Sequence, residues 1–335
     1  MKIFFSLLVL GVALVNGWTD APSAIAGCVS TRALAPRPAL FLAAISNLAG
    51  AIIMAIICPT VAKTLYGIAD FGDDPQSAII SLSVALITVI LWATLAAIRG
   101  IPTSESHALI SSVCGSALAS NMSLSALQIS EWNSVILGIM ISTLPVMIFS
   151  LLIYKLSTKI FKEQDRRSTM RYFMRVQRVS AGISSFLHGA QDSQKFIGVY
   201  MLGLTFINGN TTNNQDFNIP IVITLACAIA MTAGTLIGGA RIIKKVGCDM
   251  TELDPLSSSA ADTASSSFLG VCSFLGLPTA TTHAKTCAIM GIGLSKKGGT
   301  NPKIALEIFL AWFLTFPICA IISFLLSLLA NTIFL

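Results

Sequence analysis

The chain has 335 residues and a formal net charge of +6, yet charged residues make up only 11% of it and AVILMFWYC residues 54%. Soluble domains carry about 25% charged residues, so a water-soluble enzyme is excluded. Several stretches lack Asp, Glu, Lys and Arg, among them 38–62, 75–98, 106–130, 132–154, 217–240, 263–284 and 308–335. Each meets the roughly 20 residues that a helix needs to cross a hydrocarbon core. Long unbroken apolar runs fit helices better than alternating barrel strands, so the expected fold is an all-α, polytopic membrane protein in the cell membrane.

In chain order, residues 1–17 form an apolar segment that resembles a signal peptide. It runs directly into Asn16-Gly17-Trp18-Thr19-Asp20-Ala21, which has a mid-chain echo in His188-Gly189-Ala190-Gln191-Asp192-Ser193. An element found mid-chain is no cleavage signal, so the segment reads as a retained first helix. Apolar spans follow, up to Gly100-Ile101-Pro102-Thr103-Ser104-Glu105-Ser106-His107-Ala108. That string returns as Gly276-Leu277-Pro278-Thr279-Ala280-Thr281-Thr282-His283-Ala284, at an offset of 176 residues. The Asp elements are 172 residues apart, as are Thr143-Leu144-Pro145 and Thr315-Phe316-Pro317. Three matches in one order at a near-constant offset define an internal repeat. The first transmembrane repeat covers 1–154 and the second 179–335.

Between them, 155–178 carries eight basic residues against Glu163 and Asp165. Nucleic-acid binding is the minor reading. Beside apolar spans the positive-inside rule makes this segment a cytoplasmic linker. The eight cysteines stand singly, as small hydrophobes, and no metal or redox cofactor is expected.

The segment after each Pro-Thr string is rich in small residues or too short to span, so each string reads as the tip of a re-entrant helical hairpin. Irregular backbone survives at membrane depth only when packed in protein or lining a cavity. Paired halves with interrupted segments point to a secondary transporter whose site lies at the repeat interface, and inverted symmetry is favoured over parallel. Ser104, Ser106, Thr281 and Thr282 place hydroxyls at helix starts, where orphan N–H groups and the helix dipole bind anions. The plainer reading is N-capping. His107 and His283 are open between structural hydrogen bonding to a carbonyl, ligand contact and proton relay. Asp20 and Asp192 are intramembrane carboxylates, functional candidates by default. The Gly before each suggests an unwound turn and a site for Na⁺ or a proton, and a salt bridge from Lys195 to Asp192 is the structural alternative. A Ser-His-Asp hydrolase is disfavoured because no G-x-S-x-G elbow is present.

These motifs resemble the inorganic phosphate transporter (PiT) family. Its Gly-Ala-Asn-Asp-x-x-Asn-Ala element is similar to 17–24 and 188–195 here, and its Pro-Val-Ser-Thr-Thr-His element to 102–107 and 278–283. The resemblance implies ion-coupled import of phosphate by a homodimer of inverted repeats. Phosphate would lie between the tips (Ser104, Glu105, Ser106, Thr281, Thr282) with Asp20 and Asp192 beside it. The coupling ion or proton would use Asp20, Ser23, Gln191, Asp192, Lys195 and Glu105. The motif asparagines are replaced by Thr19, Ser23, Gln191 and Lys195, Glu105 stands in place of a Thr, and Ala280 in place of a Ser. These changes favour H⁺ over Na⁺, with Lys195 as a tethered cation and Glu105 as the titrating group. Sulfate transport, or a channel or receptor that keeps the fold, is the alternative.

Overall fold

The computed structural model describes residues 1–210, 218–296 and 298–335. Phe217, first residue of one apolar run, lies outside the described residues. The first half comprises α1 (Lys2–Thr19), α2 (Ala21–Ser30), α3 (Pro36–Ile57), α4 (Thr60–Tyr66), α5 (Pro75–Arg99), α6 (Glu105–Asn121), α7 (Ile129–Ile141) and α8 (Leu144–Ile160). The second comprises α9 (Arg166–Ile207), α10 (Ile221–Ile237), α11 (Ala240–Lys244), a π-helical turn (Lys245–Asp249), α12 (Pro255–Leu275), α13 (Thr281–Gly293) and α14 (Pro302–Phe334). Every regular element among the described residues is helical. Five spans among them are long and apolar enough to cross a membrane, or six if the pair bent by 67° at Gly238 and Gly239 counts as one. This is a multi-pass membrane protein.

The 42-residue α9 is absent from that set although it runs through the centre of the bundle. Its buried face carries Gln177, His188, Gln191, Asp192, Gln194 and Lys195. Polar residues on a buried stripe lower its hydropathy without exposing it to lipid, and the charge-free run 196–215 marks only its last twelve residues. The basic segment 155–178 is not a free loop. It folds as the end of α8, a turn over 161–165, and the start of α9, with the Asp165 carboxylate capping α9 by accepting the Ser168 N–H at 2.7 Å.

Glycines set how the halves interlock. A Cβ on Gly17 would lie 1.9 Å from the Met231 carbonyl oxygen, and one on Gly234 1.9 Å from that of Leu14, so α1 and α10 cross backbone to backbone. A Cβ on Gly189 would lie 2.2 Å from the Asn47 oxygen and one on Gly50 1.9 Å from that of Phe186, a like crossing of α9 with α3. Small residues permit this approach. The first helix of each half therefore packs on a helix of the other half. This corrects the sequence reading that glycine before each aspartate marks an unwound turn. The helix breaks at Asp20, between α1 and α2, but α9 passes unbroken through Asp192. The repeated Thr-x-Pro behaves as unequally: α8 starts anew at Leu144-Pro145, whereas Pro317 lies inside α14.

Two hairpins, α5–α6 and α12–α13, turn at matching places. Gly100 (φ 66°) and Gly276 (φ 70°) end α5 and α12 in the left-handed conformation, which glycine adopts without steric penalty. Extended residues then lead into α6 and α13. The outgoing arms have 17 and 13 residues, short of the roughly 20 of a full crossing.

Candidate functional site

The two tips meet at the centre, and their contact is reciprocal. Ser106 Oγ donates to the Thr279 carbonyl at 3.3 Å, and Thr282 Oγ1 donates to the Thr103 carbonyl at 3.4 Å. These are the same positions of the repeated string with the halves exchanged. Each tip is also braced from the other half. Thr60 and Thr64 of α4 donate to the Ser273 and Gly276 carbonyls, both at 2.9 Å. The Arg241 guanidinium of α11 donates to the Ile98 carbonyl. Freed backbone carbonyls of the turns thereby gain partners, as buried polar groups must.

Beside the tips lies a charged cluster. Lys195 Nζ donates at 2.5 Å to Asp192 Oδ1, to Ser106 Oγ on the first tip and to the Thr279 carbonyl on the second. Lys195 is 1% exposed, and its three ammonium protons account for those three bonds. Asp192 Oδ2 accepts Asn16 Nδ2 at 3.1 Å and Thr281 Oγ1 at 3.4 Å, with His188 Nε2 at 3.3 Å. His188 Nδ1 faces Asn47 Oδ1 at 3.2 Å. On the first-half side, Thr19 Oγ1 lies 3.3 Å from Asp20 Oδ1 and 3.2 Å from Glu105 Oε2. A hydroxyl has one proton, so only one carboxylate can receive it at a time. Glu105 Oε1 has no partner and the residue is 1% exposed.

Of the residues singled out in the sequence, Asp20, Glu105, Asp192, Lys195, Ser106 and Thr281 thus converge. Thr282 bonds across to the other tip. Ser104 is the N-cap of α6, its Oγ accepting the His107 N–H at 3.2 Å, while Ala280 at the matching place in α13 makes no side-chain cap. Ser23 turns back to donate to the Asp20 carbonyl at 2.7 Å, and Gln191 donates to the Leu277 carbonyl at 3.4 Å. Neither side chain bonds the cluster. The two tip histidines also depart from the carbonyl-bonding alternative. Their rings meet edge to face at 4.3 Å, His283 stacks on Trp312 at 3.7 Å, and none of their four ring nitrogens has a hydrogen-bond partner. They pack as aromatic rings behind the tips.

Asn16, Thr19 and His188 belong to the cluster and were not chosen as site residues. Asn16 and His188 each precede the repeated Asp by four residues, one helical turn, so the i,i+4 rule was the available signal. Also missed was a second buried ion pair, Lys285 with Asp262. These are the two charges that bound the apolar run 263–284.

The model of the Phosphate transporter family matches residues 16–323. The chain belongs to that family. It is 32% identical to a probable low-affinity inorganic phosphate transporter of Bacillus subtilis, over 100% of this chain and 98% of that protein. A protein of the same description from Rhizobium meliloti is 33% identical, with 95% of each chain covered. A solved structure titled as the sodium-dependent phosphate transporter superposes with a TM-score of 0.89 at 19% identity, covering 100% of this chain and 99% of that one. At that identity the superposition speaks for the fold.

Proposed function

We propose that this family member is a symporter that imports inorganic phosphate, driven by protons, with Lys195 in the place of a mobile coupling cation. The observation that carries this is the Lys195 ammonium, bonded at 2.5 Å to both tips and to Asp192. An ammonium beside hydroxyls and helix N-termini is a site for a tetrahedral oxyanion. The relatives, described as inorganic phosphate transporters, supply the anion: phosphate.

Three buried carboxylates, Asp20, Glu105 and Asp192, face one ammonium, with His188 against Asp192 and His107 and His283 behind the tips. Asp192 is matched by Lys195. Asp20 and Glu105 share a single hydroxyl proton and nothing cationic bonds them. In this reading the pair takes up one proton from outside and releases it inside with the anion. Glu105 also favours phosphate over sulfate, because hydrogen phosphate can donate to a carboxylate and sulfate has no proton to give. The basic ends of α8 and α9 face the cytoplasm by the positive-inside rule, and impermeant labelling of Ser168→Cys from outside intact cells would reverse that orientation. The working assembly is a homodimer, tested by the mass of the detergent-solubilised protein.

The deciding experiment is uptake of labelled phosphate into proteoliposomes with Na⁺ and pH gradients imposed separately. Accumulation driven by an inward proton gradient and indifferent to Na⁺ is expected. Strict Na⁺ dependence would overturn the coupling, and equilibration without accumulation would make the protein a channel.

A further inference from the structure

A row of buried polar groups leads away from the tips toward the basic helix ends. One turn past Thr281 on the same face of α13 stands Lys285, 2% exposed. Its ammonium donates to Asp262 Oδ1 of α12 and, at 3.2 Å, to the Ala24 carbonyl of α2. The other oxygen of Asp262 accepts Ser180 Oγ of α9 at 3.2 Å. Four helices, α9, α12 and α13 of the second half and α2 of the first, therefore close around one ion pair. Two recorded bonds leave one of the three ammonium protons of Lys285 unassigned.

The row continues beyond this pair. Gln177 Nε2 and Ser258 Oγ are buried donors without a partner, at 0% and 1% exposure. Both flank Gly27: a Cβ there would lie 2.0 Å from Ser258 Oγ and 3.5 Å from Gln177 Nε2. Orphaned buried donors are costly and call for an explanation. At the far end, Thr31 Oγ1 donates to Gln177 Oε1 at 2.7 Å, and Arg178 Nε donates to the Ala33 carbonyl at 2.8 Å. Positions 20, 24, 27 and 31 share one face of α2, as 177, 180 and 184 do on α9. Donors, not acceptors, dominate what is left unmatched, which is the chemistry of an anion path.

We propose that Lys285 is a second oxyanion station, one helical turn beyond the tips. It receives inorganic phosphate from the tips and passes it toward the basic helix ends, and the Asp262 carboxylate occupies it in this conformation. The pair is both a closed gate and a stand-in for the anion: a carboxylate on a buried ammonium, with a hydroxyl on its second oxygen, offers what a phosphate oxygen would take. Passage exchanges Asp262 for phosphate on Lys285, so the ammonium keeps an anion beside it throughout, while the displaced carboxylate keeps the Ser180 hydroxyl and takes up a proton or returns as the phosphate leaves, since a lone buried charge is costly. This inference rests on the phosphate reading above.

The test combines labelled phosphate binding by equilibrium dialysis with uptake by proteoliposomes, on the full chain. Lys285→Gln should still bind one phosphate per chain while uptake falls at least 100-fold. Asp262→Asn frees the ammonium and should raise binding from one phosphate per chain to two. The paired change Lys285→Met with Asp262→Leu removes the gate and the station together, and should remain inactive although folded by thermal melting. Uptake by Lys285→Gln within threefold of the unaltered protein overturns the station. So does wild-type transport by the paired variant, which would make the ion pair structural only, and so does one phosphate per chain in Asp262→Asn. A failure of the phosphate reading is distinct, because the unaltered protein would then take up none.

Discussion

Asp20 and Asp192 occupy matching places in the two halves, and the structure gives them opposite surroundings. Asp192 lies in an unbroken helix and receives an ammonium, an amide and a hydroxyl. Asp20 lies at a helix break and shares one hydroxyl with a second carboxylate. The difference traces to two residues: Lys195 where the first half has Ser23, and Glu105 where the second half has Thr281. Two copies of one scaffold thus hold one carboxylate paired with an ammonium and, across from it, two carboxylates that share a hydroxyl. Symmetry in the backbone carries asymmetry in the charges.

Removing the fixed cation should have the largest effect. Lys195→Met leaves Asp192 buried without its ammonium, a loss of about 3–5 kcal/mol for a broken buried pair, and should abolish uptake. Adding Asp192→Leu should recover the melting temperature but not uptake; recovery of both would assign the pair a structural role alone. Next comes the first-half side. Glu105→Gln should fold and move phosphate down its gradient, yet no longer accumulate it in response to an inward proton gradient. Accumulation at the unaltered level in this variant would remove Glu105 from coupling.

The glycine crossings sharpen the comparison from the symmetric side. Gly17→Ala and Gly189→Ala each force a methyl against a backbone carbonyl. Overpacking of this kind costs about 1–3 kcal/mol, and the two melts should fall alike, because the crossings match where the charges do not. A large drop in one alone would show that the halves differ in packing as well. The smallest effect is expected at the aqueous end of α12. Burial by itself would push the Asp254 carboxyl up, but the Lys296 ammonium at 2.7 Å and the Ser257 N–H hold it below the usual carboxylate range. A carboxyl held low in the folded state stabilises the protein above its unfolded pKa, about 3.9, and loses that contribution as pH falls through the lower folded value. Asp254→Asn should therefore melt slightly below the unaltered protein at pH 7, with the gap closing in acid. The side chain is 38% exposed, so solvent screening keeps the gap small. A gap that widens in acid would contradict this.

Much of the site was legible because polar residues are rare in so apolar a chain. Asp20, Asp192, Glu105, Lys195, Ser106 and Thr281 stand out by type and by repetition, and all six converge. Ser23 and Gln191 stand out equally, yet their side chains bond nearby carbonyls, since a hydroxyl or amide finds the closest free backbone group. The two tip histidines were open between structural and chemical roles, and they pack as rings against Trp312 and Phe316. Only His188, set aside as a mere position in a motif, reaches a carboxylate.

The sequence by itself determined that this chain is a helical membrane protein, because each apolar run must satisfy its backbone within one segment. It also determined that the chain is duplicated, and that the duplicated strings are hairpin tips, which meet because polar groups persist in such a chain only where they face one another. Tertiary structure decided which half supplies what to whom. That α1 packs on α10 and α9 on α3, that α4 and Arg241 each brace the opposite tip, and that Lys285 reaches Asp262 across the second hairpin are contacts between segments far apart in the chain. Periodicity reports which face of a helix is buried. It carries no information on which neighbour covers that face, and charge pairing across helices follows from the neighbour.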